Sequence, residues 1–119
     1  MRRISTKRAK ALQIPTNVKK SVYERDNGLC VVCGQRGFPD AHYIPRSKGG
    51  LGIEENIVTL CRGCHDRFDH GDAYDITVIG TMIRCYLKEH YPNTEYPDDR
   101  YHPGDNSKLV YQKYGGNEE

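Results

Sequence analysis

Apolar residues along this chain come in short bursts, set apart by polar and glycine-rich runs, and their period changes from one burst to the next. Val18 and Val22 stand four apart just after Pro15, which predicts a helix with Thr16 as its N-cap. The Asn27-Gly28 pair favours left-handed backbone and should end that helix. Residues 38–44, FPDAHYI, read as a short strand stopped by Pro45, and the loop from Arg46 to Asn56 follows, with Gly49, Gly50 and Gly52 supplying turns. Residues 57–60, IVTL, read as a second strand. Cys64 to His70 is free of glycine and proline and reads as a helix, with Gly71 at its C-terminal cap. The order strand, loop, strand, helix predicts a ββα unit and an α+β fold.

Further on, Thr81 to His90 predicts an amphipathic helix carrying Met82, Ile83, Tyr86 and Leu87, stopped at Tyr91-Pro92. The run YPNTEYPDDRYHPGDNS is rich in turn formers, and KLVYQKY (108–114) has room for one or two helical turns. Three regions result: a basic flexible arm at 1–14, a folded domain at 15–91, and a turn-rich extension at 92–119. No internal repeat is evident.

Composition makes this small fold need a staple. Apolar residues are 36% of the 119, there is no Trp, and only two Phe stand beside nine Tyr. A polar domain of this size usually depends on disulfides or a metal. Four of the five cysteines form two C-x2-C pairs, Cys30 with Cys33 and Cys61 with Cys64. A two-residue spacer lets a knuckle turn aim both thiolates at one ion, so the pairs predict a closed four-thiolate structural zinc. Two disulfides or a redox C-x-x-C are the competing readings. The basic start MRRISTKRAKALQIP has no apolar core of a signal peptide, and no run has the length of a membrane span. A cytosolic, thiol-reducing setting is therefore expected, and it favours metal over disulfide. Cys85 falls outside the pairs, on the expected apolar side of the later helix, and is expected to be a buried thiol.

Charge adds an asymmetry that the net value of +2 hides. The first twenty residues hold Arg2, Arg3, Lys7, Arg8, Lys10, Lys19 and Lys20 and no acid, whereas the rest of the chain is net negative. Such an arm can neutralise nucleic-acid phosphates, or it is a solvated tail.

Two histidines lie within the cysteine frame. Closing the zinc site would hold the strand of His42 against the helix of His65. A neutral imidazole can take a proton from water, and a second imidazole with carboxylates can hold a divalent metal. Asp69 follows His65 by four residues, about 40° around a helix, and shares its face, so it is preferred to His70 as a second metal ligand. His70 points elsewhere, as a C-terminal histidine favoured by the helix dipole.

The run C-x2-C, then AHYIPRSKGG, then EENIVTLC-x2-CH resembles the HNH nucleases, which use the ββα-metal (His-Me finger) fold. The likeness covers roughly residues 15–71, including the lead-in PTNVKKSVYERDNGLC. By that resemblance His42 is the general base, Asn56 braces its loop, and His65 binds the catalytic divalent metal, usually Mg²⁺. It implies phosphodiester hydrolysis leaving a 5′-phosphate and a 3′-hydroxyl, with DNA as substrate. Small stand-alone members of this type add the expectation of a phage or bacterial cytosol and of a terminase or other packaging partner. The oligomeric state is left open. Arg46 and Lys48, just past the base, are placed to grip neighbouring phosphates, with loop charges as the plainer reading. One position departs from the pattern: where many members have a metal ligand directly before the base, this chain has Ala41. Asp40 is the candidate substitute beside His65 and Asp69, through a bulge or a water. That gap keeps a second function in view, a non-catalytic zinc-stabilised DNA-binding module of a larger packaging or recombination machine.

Overall fold

The computed structural model describes residues 11–104. Arg2, Arg3, Lys7, Arg8 and Lys10 of the basic arm, and the helical turns expected at 108–114, lie outside them. Helix α1 spans Thr16–Arg25, strand β1 Phe38–His42, strand β2 Ile57–Leu60, helix α2 Arg62–His70 and helix α3 Ala73–His90, with a 3-10 turn at Arg46–Lys48. The two strands pair antiparallel and α2 follows at once, so the architecture is α+β with the expected ββα unit. No helix among the described residues is long and apolar enough to cross a membrane.

Each boundary has a local cause. Helix α1 begins at Thr16, but its N-cap is Pro15, whose carbonyl accepts from the Val18 and Lys19 amides at 3.0 Å. Thr16 is therefore the first helical residue and not the cap. Asn27 and Gly28 then take left-handed backbone and end it. Strand β1 stops at His42, two residues short of expectation, because Asn56 captures the next two amides. The Asn56 carbonyl accepts from Tyr43, and its side-chain oxygen accepts from Ile44, both at 2.8 Å. Helix α2 starts two residues early, with Cys61 as N-cap through its sulfur.

Helix α3 starts eight residues before the expected Thr81, at an N-cap where the Asp72 carboxylate accepts the Asp75 amide at 2.8 Å. Burial of Ile79, Gly80, Ile83 and Leu87 against the sheet and Phe68 outweighs the poor helix propensity of its glycine and β-branched residues. That stripe turns Met82 outward, and Cys85 is exposed rather than buried as expected. The two stand on the far side of the helix from Ile83 and Leu87.

The core gathers Ala41, Ile44, Val58, Leu60 and Phe68 between the sheet and the last two helices. The C-terminal extension folds back over it. The Tyr43 hydroxyl donates to the Pro97 carbonyl, and that of Tyr96 to the Glu55 carbonyl at 2.7 Å.

Candidate functional site

The four paired cysteines converge. The sulfurs of Cys30, Cys33, Cys61 and Cys64 all lie within 4.8 Å of one another. Each pair closes a knuckle in which the second cysteine's amide points at the first one's sulfur at 3.4 Å, Cys33 to Cys30 and Cys64 to Cys61. Burial would raise the Cys30 thiol, but the backbone amides aimed at it outweigh this and bring it down to about 7. Cys64 is pushed up, by burial first and then by its sulfur neighbours. Four thiols packed so closely resist ionising together unless a cation sits among them. The donor set and its spacing fit a structural zinc.

That staple fastens the start of α2 to the turn before β1, and so sets His65 beside Asp40 and His42. Asp40, His42, Arg46, His65, Asp69 and Arg100 share a cavity of about 160 Å³ with Pro45. A larger cavity of about 510 Å³, lined among others by Ile76, Arg84 and Asp98, contains no histidine or cysteine. The chemistry is concentrated in the smaller one.

His42 is largely buried, and its Nε2 lies 3.1 Å from the Leu12 carbonyl. A carbonyl only accepts, so Nε2 carries the proton and Nδ1 keeps the lone pair. Burial, against the opposing pull of that hydrogen bond, moves His42 down to about 4, so the ring is neutral at pH 7. Asn56 is fully buried behind it, with its side chain also donating to the Ile44 and Leu51 carbonyls at 3.1 and 2.9 Å. Gly50 makes that brace fit: a Cβ there would fall 1.7 Å from the Ile44 oxygen and 2.9 Å from Asn56 Nδ2.

His65 stands between two carboxylates. Its Nε2 is 3.1 Å from Asp69 Oδ2, and its Nδ1 is 3.7 Å from Asp40 Oδ1. The Asp69 contact, opposed by burial, raises the imidazole. Burial would raise the Asp69 carboxyl, but hydrogen bonds from His65 and Arg100 outweigh it and hold it at about 2. Asp40 Oδ1 is buried without a hydrogen-bond partner. An orphaned carboxylate oxygen facing an imidazole nitrogen is a fit for a cation between them. His70 is exposed at the end of the same helix.

The family model of the HNH endonucleases matches residues 30–74, which contain both cysteine pairs, His42, Asn56 and His65. Anaredoxin of Nostoc sp. (strain PCC 7120 / SAG 25.82 / UTEX 2576) is 32% identical over 56 residues, covering 45% of this chain and 74% of that protein. The chain belongs to the HNH endonuclease family.

In this HNH protein the position before His42 is closed to a ligand. Ala41 is fully buried in the core, facing away from the cavity. Asp40 and His42 stand two apart on β1, so strand alternation puts both on one face, where they line one cavity. Arg46 lines it too, whereas Lys48 is exposed on the same 3-10 turn.

Two contributors had no signal in the HNH motif. Leu12, from the segment assigned to the flexible arm, is buried and supplies the carbonyl to His42. Its neighbour Ala11 accepts the Gly52 amide at 3.0 Å, and a Cβ at Gly52 would lie 1.8 Å from the Gln13 oxygen. Arg100, from the turn-rich extension, lines the cavity and binds Asp69 at 2.9 Å. Neither residue type nor spacing marks these long-range partners.

Proposed function

We propose that this HNH protein is a divalent-metal-dependent DNA endonuclease, with its nuclease unit spanning residues 15–91 and completed by Arg100 from the extension. The observation that carries the reading is the shared cavity in which a neutral, oriented His42 meets the Asp40–His65 pair. His42 Nδ1 is the general base. It takes a proton from the attacking water as the water oxygen closes on phosphorus, opposite the P–O bond that breaks. With Nε2 donating to the Leu12 carbonyl, the Nδ1 lone pair is free to accept that proton. Asn56 is the brace that keeps the His42 turn in place.

Asp40 and His65 would hold the catalytic divalent cation, while Asp69, expected from the sequence as a ligand, has its oxygens on His65 Nε2 and Arg100 and would orient His65 instead. When bound there, Mg²⁺ or a similar ion supplies positive charge for the oxygen on which negative charge develops. Arg46, beside His42, is placed to hold a neighbouring phosphate. Lys48 and the basic residues Arg2, Arg3, Lys7, Arg8 and Lys10 add sequence-independent attraction to the DNA backbone.

A supercoiled-plasmid nicking assay across Mg²⁺, Mn²⁺, Ni²⁺ and Zn²⁺ tests this reading, with His42→Ala and His65→Ala beside the wild type. DNA binding that survives EDTA, without cleavage under any of these ions, would favour the non-catalytic DNA-binding module instead.

A further inference from the structure

A buried guanidinium with no part in the HNH motif calls for a reason. Arg100 is 4% exposed and comes from a segment with no regular helix or strand. Its fork is spent at the junction of the ββα unit. Nε donates to the Tyr43 carbonyl at 2.7 Å and Nη2 to the His42 carbonyl at 2.6 Å. Nη1 donates to the Phe68 carbonyl at 3.0 Å and to Asp69 Oδ1 at 2.9 Å. The guanidinium carbon also lies 3.6 Å from the centroid of the Phe68 ring. One side chain thus ties the strand of His42 to the helix of His65.

Asp69 passes this restraint on. With Oδ1 taken by Arg100, Oδ2 faces His65 Nε2 at 3.1 Å. An ionised carboxylate only accepts, so it selects the imidazole with its proton on Nε2 and its lone pair on Nδ1. Nδ1 is the nitrogen next to the orphaned Asp40 oxygen.

We propose that Arg100 is a positioning residue for the cation half of the site: it fixes Asp69 so that His65 is held as the Nε2–H tautomer, presenting Nδ1 beside Asp40 to a divalent cation. This rests on the reading of His65 as a cation ligand and extends it to a residue outside the matched segment 30–74. Lysine would keep the charge but not the fork, because one ammonium cannot hold the His42 and Tyr43 carbonyls and a carboxylate in that planar arrangement.

Four full-length, zinc-loaded proteins carry the test: wild type, Arg100→Lys, Asp69→Asn and His65→Ala. Two readouts stand beside nicking. The ¹⁵N shifts of the His65 ring at about pH 9, well above the ordinary imidazole value, report the tautomer. The Mn²⁺ electron-spin signal reports metal affinity. Wild-type His65 is expected as Nε2–H. Arg100→Lys is expected to lose that single tautomer and to bind Mn²⁺ roughly 10–100-fold more weakly, with kcat down by a similar factor and KM for DNA little changed. Asp69→Asn, whose amide can donate to Nε2, should favour the opposite tautomer and weaken Mn²⁺ at least as much.

A wild-type His65 found as Nδ1–H overturns the proposal. So does an Arg100→Lys protein that keeps the wild-type tautomer and Mn²⁺ affinity and loses only thermal stability. If Arg100→Lys does not fold, the wild-type ring and Asp69→Asn decide, and an Asp69→Asn protein that binds Mn²⁺ like wild type overturns it. His65→Ala separates the two readings. Normal nicking and Mn²⁺ binding in that variant removes the cation reading itself. Loss in His65→Ala with none in Arg100→Lys removes only the role of Arg100.

Discussion

Asn56 holds both peptide groups of Ile44, accepting its N–H at 2.8 Å and donating to its carbonyl at 3.1 Å. The pair acts as a side-chain continuation of the β-ladder just where β1 ends, and it sets the turn that follows His42. Replacing Asn56 by Ala leaves the Ile44 amide and carbonyl buried without those partners, at a cost of about 1–3 kcal/mol for each unsatisfied group. Asn56→Ala is expected to lower the denaturation midpoint, and to lower nicking kcat further than the loss of folded protein explains. Chemical denaturation run beside single-turnover kinetics checks both.

Zinc is expected to be part of the folding equilibrium, because the four sulfurs join the turn before β1 to the start of α2. Chelation strong enough to strip it, or Cys61→Ser, should abolish cooperative unfolding and expose the core. Circular dichroism before and after zinc return measures this.

The hydrogen-bonded pair Arg25 and Asp26 locks α1 to the rest of the domain. Arg25 binds Asp26 at 2.7 Å and the Glu54 and Ile57 carbonyls at 2.9 and 2.8 Å, while Asp26 also accepts the Thr59 amide at 2.9 Å. Arg25→Met leaves a buried carboxylate without its cation, a loss of about 3–5 kcal/mol where breaking such a pair has been measured. Equilibrium urea unfolding should register it as a lower midpoint at unchanged slope.

The Asp26 carboxylate also makes an alkaline prediction, through Tyr86. Burial, then the hydrogen bond to Asp26, pushes the Tyr86 phenol up to about 12. The folded state therefore favours the neutral phenol. That stabilisation is complete below the unfolded phenol value, about 10, and is lost as pH rises through the folded one. Wild type should lose stability between those values more steeply than Tyr86→Phe, as followed by urea midpoints across that range.

Deleting residues 1–10 removes Arg2, Arg3, Lys7, Arg8 and Lys10 and spares the Leu12 carbonyl. The dependence of log affinity for DNA on log salt should flatten, by up to about 0.9 for each phosphate the arm no longer neutralises. Fluorescence anisotropy at several salt concentrations gives the slope.

What the sequence made legible is what is local. The cysteine spacings and the ββα order lie within short runs whose geometry follows from strand and knuckle rules, and the trio His42, Asn56 and His65 was marked by the resemblance to the HNH nucleases. The length of α3 escaped, because packing of Gly80 and its neighbours decides it and local propensity does not. Cys85 was misplaced for the same reason, as the orientation of that helix depends on its full extent. In the candidate site, the strand and helix spacings put Asp40 on the face of His42 and Asp69 on that of His65, but the tie from Asp69 to Arg100, arriving from a distant turn, left no local sign. The partner of His42 is a backbone carbonyl, which no residue type can announce.

The most direct test of the account is plasmid nicking in Mg²⁺ or Mn²⁺ by folded, zinc-loaded His42→Ala beside wild type. A wild-type protein that nicks, and a variant that binds DNA equally well but nicks at least about 100-fold more slowly, is the predicted result. Full nicking by His42→Ala would contradict it.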